Sequence, residues 1–394
     1  MNSHAENSQY FSNKIHFRWI MTHFATAMGI GVLFVPQELG PRTIGLNSFL
    51  IMLVLCVPLS YLSHKTLSSL ILSANNGGGS VLAIKEIEGK NASLIYSLLL
   101  FISSFSICVI NYLALVSALS QNEIVPHSDI SRVIVSVFIG ILVYFFSSQG
   151  SKKIVLMTKF ISLPLAGILL FISLMLVPYW DWDSLPVSEP MSLINIVSFI
   201  PIIIFAMNFS PCVSGYIEDR KNDHGFNQSS ISTTLLTSCA SIAVVVMFFS
   251  FSVSLAVNDS LLSSMEKNTN SIALVTELLG GGWFTVLGLF IVSAASFGAL
   301  MGTLIGVKDG LKDVPAIKRI HDKVITLVVA SILVLIGIMN PTIIDLIKVI
   351  SGPSVIAVGM LFPAYVMIKN RRMQWIHPVA IVLGVLTLTV TFLA

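Results

Sequence analysis

Charge is what this chain has least of. Only 10% of its 394 residues are Asp, Glu, Lys or Arg against 55% hydrophobic, and the mean hydropathy is +0.89. So few charges cannot cover the surface of a water-soluble domain of this length, and that class is excluded. Cysteine is scarce as well: Cys56, Cys108, Cys212 and Cys239 all fall in apolar runs and form no CxxC pair, which argues against a disulfide framework or a thiolate metal site. The 8 His residues are scattered, with no HExxH and no His/Cys cluster. No polar stretch exceeds about 25 residues, so a soluble domain has no room. Enzyme chemistry has little to stand on, and no cofactor, metal or nucleic-acid partner is implied.

Long apolar runs are what the chain has instead. A membrane-crossing helix needs about 20 mostly apolar residues, and eleven runs meet that need, at roughly 17–38, 44–68, 92–119, 131–148, 154–178, 191–217, 231–256, 282–307, 323–339, 342–368 and 375–394. If eleven spans alternate, most of the Lys and Arg fall on one side: Lys14, Arg18, Lys65, Lys85, Lys90, Lys152, Lys153, Arg220, Lys221, the basic loop 308–323, and Lys369, Arg371 and Arg372. The other side holds Arg42, Arg132 and Lys267 with the acids Asp129, Asp181, Asp183, Glu189 and Asp259. Basic loops face the cytoplasm, which predicts an inner-membrane protein with its N-terminus inside and its C-terminus outside. The first run ends in Gln37-Glu38-Leu39-Gly40-Pro41, without a small-x-small cleavage site, and reads as a retained helix.

Two of these runs are interrupted. Met28-Gly29-Ile30-Gly31 sits inside the first, and Asn208-Phe209-Ser210-Pro211-Cys212-Val213-Ser214-Gly215 inside the sixth. Lipid offers freed backbone groups no partner, so a break at membrane depth survives only where protein, water or a ligand satisfies them. Broken helices at matching places in two halves point to a carrier's binding site. The expected organisation is a tail 1–16, a first repeat 17–178, a second repeat 191–368 of inverted topology, and a leftover helix 375–394. Outside the spans, Ser80 to Glu88 reads as a short interfacial helix and Ser271 to Leu279 as a helix in an outer loop.

Thr26-Ala27-Met28-Gly29-Ile30-Gly31-Val32-Leu33-Phe34-Val35-Pro36 resembles the first-span motif of the bacterial hydroxy and aromatic amino acid permeases. Ser63-His64-Lys65-Thr66-Leu67 with Ile71-Leu72-Ser73, Phe205-Ala206, Asn340-Pro341, Ile350-Ser351-Gly352-Pro353 and Pro363 look like the same family at the right intervals, over nearly the whole chain. Among its branches the chain is more similar to the serine and threonine carriers. It departs at Ala25, where the family has Gly, and matches loosely over 293–306. The resemblance implies an all-α membrane protein of eleven helices with a 5+5 inverted repeat, discontinuous first and sixth helices, and the leucine-transporter-like fold of the amino acid, polyamine and organocation superfamily. It also implies amino acid uptake driven by a proton.

A zwitterion at the midplane needs a positive end for its carboxylate and a negative end for its ammonium, and half-helix termini supply both. The break at Met28 assigns the amides of Gly29, Ile30 and Gly31 to the carboxylate, and the carbonyls of Ala25, Thr26, Phe205 and Asn208 to the ammonium. The competing reading makes Gly29 and Gly31 packing positions between helices. Asn208, Ser210, Ser214, Thr26, Asn111 and Tyr112 are side chains able to hydrogen-bond a hydroxylated substrate. For each, the alternative is an interhelical hydrogen bond worth about 0.6 kcal/mol. Tyr112 resembles a family Tyr that covers the site; its alternative is a packed aromatic.

Lys159, inside the fifth span, is the expected proton-coupling residue by likeness to proton-driven superfamily members, with snorkelling to the inner surface as the rival reading. Ser293 and Ser296 would instead complete a sodium site with first-span carbonyls. Asp345 and Lys348 are spaced to pair on one helix face, and His23 reads as a hydrogen-bonded helix residue. The expected function is a secondary carrier importing a neutral amino acid, serine or threonine first, with protons. Alternatives are an aromatic amino acid carrier, a sodium-coupled carrier, and, from another class, a channel or transporter-like receptor.

Overall fold

The computed structural model describes residues 16–74, 79–120, 128–147, 164–183, 185, 192–221, 228–258, 261, 268–312, 314, 317 and 320–393, and every regular element among them is helical. The order is α1 (His16–Ala27), α2 (Gly31–Ile44), α3 (Leu46–Ser73), α4 (Ser80–Glu88), α5 (Lys90–Ser120), α6 (Asp129–Ser147), α7 (Pro164–Tyr179), α8 (Leu193–Ala206), α9 (Ser210–Lys221), α10 (Gln228–Ala256), α11 (Ser271–Leu278), α12 (Trp283–Lys312), α13 (Asp322–Met339), α14 (Ile343–Lys369) and α15 (Ile376–Leu393). Eight of these are long and apolar enough to cross a membrane alone, and the bent pairs α1/α2 and α8/α9 raise the number to ten. Of the expected fifth span, 154–178, residues 154–163 lie outside the described residues and α7 is the rest.

The chain bends by 65° between α1 and α2 and by 54° between α8 and α9, at the two interruptions read from the sequence. A third irregularity was not anticipated. α14 carries two π segments, Ile347–Ser351 and Ala357–Leu361, on either side of Gly352-Pro353. Gly352 lies so near α8 that a Cβ there would sit 2.5 Å from Pro201 Cβ, so the π turns occur where α14 runs against a broken helix.

Small residues set the closest helix pair. Gly306 and Gly310, four apart on α12, have the small-xxx-small spacing that lets membrane helices approach. A Cβ on Gly310 would lie 2.8 Å from the Phe101 amide nitrogen, and one on Gly306 2.5 Å from Ser104 Oγ, so α5 and α12 touch nearly backbone to backbone. Polar side chains tie a second group together: Arg18 and Trp19 of α1 both reach Asp219 of α9, at 2.5 and 2.7 Å. His16 and His23 pair with Thr234 and Ser238 of α10, and Lys65 of α3 donates to Ser232 of α10 at 2.6 Å.

The interfacial helix α4 ends on Glu88, whose side chain is 8% exposed and accepts from Lys369 Nζ and Asn370 Nδ2 at the end of α14. The Lys369 hydrogen bond, helped by Asn370, holds this carboxyl below its ordinary range. A carboxyl depressed in the folded state stabilises in full above its unfolded pKa, and the contribution is lost as pH falls through the depressed value. The α4 contact should therefore persist at neutral pH and loosen only in acid, below the ordinary carboxylate range. Hydrogen exchange of residues 80–88, corrected for intrinsic rates, should show this, and Glu88→Gln should already exchange faster at pH 7.

Candidate functional site

The two breaks face each other. A Cβ on Gly31 would fall 2.7 Å from Phe205 Cε1 and 3.4 Å from Ala206 Cα, so the start of α2 abuts the end of α8 with no room for a side chain. Gly29 is similarly close to α12, where its Cβ would meet Ala299 Cβ at 3.1 Å. Asn111 of α5 completes this ring: its Oδ1 lies 3.5 Å from the Ile30 amide, while its Nδ2 donates to Ile107 O at 2.8 Å and so fixes the orientation of the side chain.

The backbone of each break can be accounted for group by group. In the first, Met28 N–H donates to Phe24 O at 3.0 Å and Gly29 N–H to Ala27 O at 2.7 Å. Of the three amides expected to hold a carboxylate, Gly29 is thus already engaged, Ile30 has the long Asn111 contact, and Gly31 has no acceptor among the described residues. The last-turn carbonyls of Ala25 and Thr26 have no intrahelical donor, as at any helix C-terminus. The first break therefore presents a free N–H end and a free carbonyl end to one small space.

The second break is braced by protein. Phe209 N–H donates to His64 Nε2 at 3.0 Å, Ser210 N–H to Asn208 Oδ1 at 3.1 Å, and Cys212 N–H to Phe209 O at 2.9 Å. Asn208 also accepts from Ser210 Oγ, so its side-chain oxygen acts as a cap for α9. Phe205 O takes Asn208 N–H at 3.2 Å. Thr26 Oγ1 lies 2.9 Å from Cys212 Sγ and donates to Thr22 O, which joins the two breaks on the α1/α9 side.

Several expected residues lie elsewhere. Tyr112 points away from the breaks: its hydroxyl donates to Ser136 O at 2.5 Å, and its ring packs where a Cβ on Gly337 would stand 2.7 Å from Cε1. Ser214 sits beside Gly79, at the entry to α4, one turn beyond Ser210. Ser293 lines a cavity of about 530 Å³ with Leu115, Ile139, Leu165 and Phe297, among α5, α6, α7 and α12. Ser296 is fully buried without a hydroxyl partner, one helical turn from the Ala299 that touches Gly29. Met28 is buried in the core. Lys159 lies outside the described residues. Lys348 crosses to Glu38 Oε2 at 2.6 Å instead of turning back to Asp345, and with Gln37 donating to Thr269 O at 3.0 Å it fastens the middle of α2. His64 joins the site unanticipated, although an ionisable residue in an apolar span is signal enough.

Exposure around the breaks is uneven. Residues 31–36 of α2 and 200–206 of α8 are buried throughout, whereas Ala25, Thr26 and Ser210 are half-buried and Pro211 and Gly215 are exposed. The ring is closed on the Glu38 side and looser on the Arg18 side. Among the described residues no group of three or more His, Cys, Asp or Glu is placed to hold a metal ion.

No family model matches the chain. It is 24% identical over 399 residues to the inner membrane transport protein YqeG of Escherichia coli K12, covering 95% of this chain and 97% of that one, and equally to YqeG of Escherichia coli O157:H7. Among solved structures it is similar to Mhp1, a nucleobase-cation-symport-1 family transporter in a closed conformation with bromovinylhydantoin bound, with TM-score 0.60, 12% identity, and 96% and 90% of the two chains covered. A manganese transporter of Eremococcus coleocola, in complex with an aromatic bis-isothiourea compound, gives TM-score 0.59 and 12% identity over 100% of this chain and 87% of the other. The fold is that of the leucine-transporter-like carriers.

Gly31→Ala should abolish ligand binding at the first break or cut it at least tenfold, because the new methyl must displace Phe205 or part the two half-helices. Phe205→Ala combined with Gly31→Ala should restore part of the loss. Binding by isothermal calorimetry, with size-exclusion profiles showing intact protein, separates this from misfolding.

Proposed function

We propose that this protein is a secondary carrier that brings a neutral amino acid, serine or threonine first, across the inner membrane together with a proton. The observation that carries the reading is the abutment of the two breaks, with the Gly31 N–H and the Ala25 and Thr26 carbonyls without partners among the described residues. A zwitterion fits such a place, its carboxylate on the α2 terminus and its ammonium on the α1 terminus. In this reading Ile30, Asn111 and Ser210 choose among substrate side chains, and Asn208 contributes its remaining amide donors. Eleven spans in two inverted repeats, 17–178 and 191–368, with the N-terminus inside, complete the scheme.

The names of the relatives support transport and differ in cargo. A divalent metal wants carboxylate and carbonyl oxygens, and neither 28–31 nor 207–210 contains a carboxylate. A sodium-coupled variant draws support from Ser296, whose buried hydroxyl has no partner. Two gradients distinguish the schemes. Protein in liposomes given labelled amino acids should accumulate serine or threonine when the interior is alkaline, and hardly at all under a sodium gradient at constant pH. If no amino acid accumulates under either gradient, the carrier reading is wrong.

A further inference from the structure

Phe209 closes the second break, and its ring lies between two buried imidazoles. The His64 ring is stacked on it at 3.6 Å and 7°, the His23 ring at 4.5 Å and 20°. His64 is 1% exposed and His23 0%. Phe209 also gives its backbone N–H to His64 Nε2 at 3.0 Å, and His64 Nδ1 lies 2.7 Å from Ser60 O.

Those two contacts fix the proton on His64. A neutral imidazole has one donor and one acceptor nitrogen. Nε2 faces an N–H and must be the acceptor; Nδ1 faces a carbonyl and must carry the hydrogen. A second proton could only go to Nε2, where it would meet the Phe209 N–H head-on. Protonation and the bond that braces the sixth-span break exclude each other, and by linkage whatever opens the break also favours the proton.

We propose that His64 is the residue through which a proton controls the α8/α9 break: neutral, it pins Phe209 to α3, and protonated, it releases α9. This rests on the carrier reading and adds to it the positioning residue of the coupling step.

The surroundings suit a single proton. Facing His64 across Phe209 is His23 of α1, whose Nδ1 pairs with Ser238 Oγ at 2.9 Å and whose Nε2 is buried without a partner. From α9, Tyr216 stands edge-on to His23, Asp219 is held by Arg18 and Trp19, Arg220 donates to Ser230 Oγ, Lys221 donates to the Ile71 and Ala74 carbonyls, and Glu218 is exposed. Cys239 of α10 takes the Ser60 hydroxyl. On α3, Cys56 bonds Leu53 O and Lys65 turns to Ser232. His377 of α15 pairs with Ser69, Lys369 at the end of α14 pairs with Glu88 of α4, and α8 has no titratable residue. Among the described residues no carboxylate contacts either imidazole, so two imidazolium ions flanking one ring would repel.

His64→Gln tests this, because a glutamine amide can accept from Phe209 N–H and donate to Ser60 O without titrating. In liposomes, His64→Gln should keep amino acid counterflow within about twofold of wild type, lose at least tenfold of the accumulation driven by a pH gradient, and flatten the pH profile of uptake. Gradient-driven accumulation and a pH profile equal to wild type would overturn the proposal while leaving the carrier reading intact. Wild-type protein that fails counterflow with every amino acid would overturn the carrier reading. A measurement needing neither substrate nor variant stands beside it: hydrogen exchange of residues 205–214 in wild-type protein, corrected for intrinsic rates, should rise as the pH is lowered. A flat profile would overturn the proposal even if His64→Gln does not fold.

Discussion

A peptide group freed inside a membrane span must find a partner, and the rest of this structure follows from how that demand is met at two places. At the α8/α9 break the protein supplies the partners itself, through His64, Asn208 and the turn at Phe209. At the α1/α2 break it supplies fewer, and the Gly31 N–H with the Ala25 and Thr26 carbonyls meet no partner among the described residues. Each unsatisfied group in hydrocarbon costs several kcal/mol, on the order of the whole stability of a small domain when summed. The asymmetry sets the breaks apart: the first keeps unpaired backbone ends among the described residues, and the second is braced by side chains.

Two packing modes keep these breaks in register. The α5/α12 seam is made of Gly and Ser, and its closeness comes from the absence of side chains. The set α1, α3, α9 and α10 is joined by polar contacts instead, from His16–Thr234 at one end to Ser60–Cys239 nearer the middle. Hydrogen bonds between membrane helices average about 0.6 kcal/mol each. They are too weak singly to clamp a helix, and together they decide which face it shows.

Facing is also where the sequence was least legible. Span ends and breaks are written in apolar run length and in Gly, Asn and Pro, and residues 80–88 and 271–278 form the short helices that their polar flanks indicate. Which side of a span looks at the breaks is another matter, because a helix that is apolar all round has no polar stripe to reveal it. Hence Tyr112 and Asn111 were read together, although neighbours in a helix point about 100° apart, and the structure sends one to Ser136 and the other to Ile30. Ser293 and Ser296, three apart and so nearly on one face, part for a different reason: α7 and α6 intervene and enclose Ser293 in their own cavity. Lys348 has a local partner in Asp345 by spacing, yet α2 passes within its reach and Glu38 is the partner it takes.

The π segments of α14 act on that same quantity, helical phase. A π turn accommodates one residue more than an α turn, so each winds everything beyond it back by about 100°. α14 is tied by Lys348, inside the first segment, to Glu38 and by Lys369 to Glu88, and the second segment lies wholly between these ties. The two ties can be made at once only at this winding. Unwinding the second segment into a regular helix would turn one tie against the other, which makes α14 a torsion rod between Glu38 of α2 and Glu88 of α4.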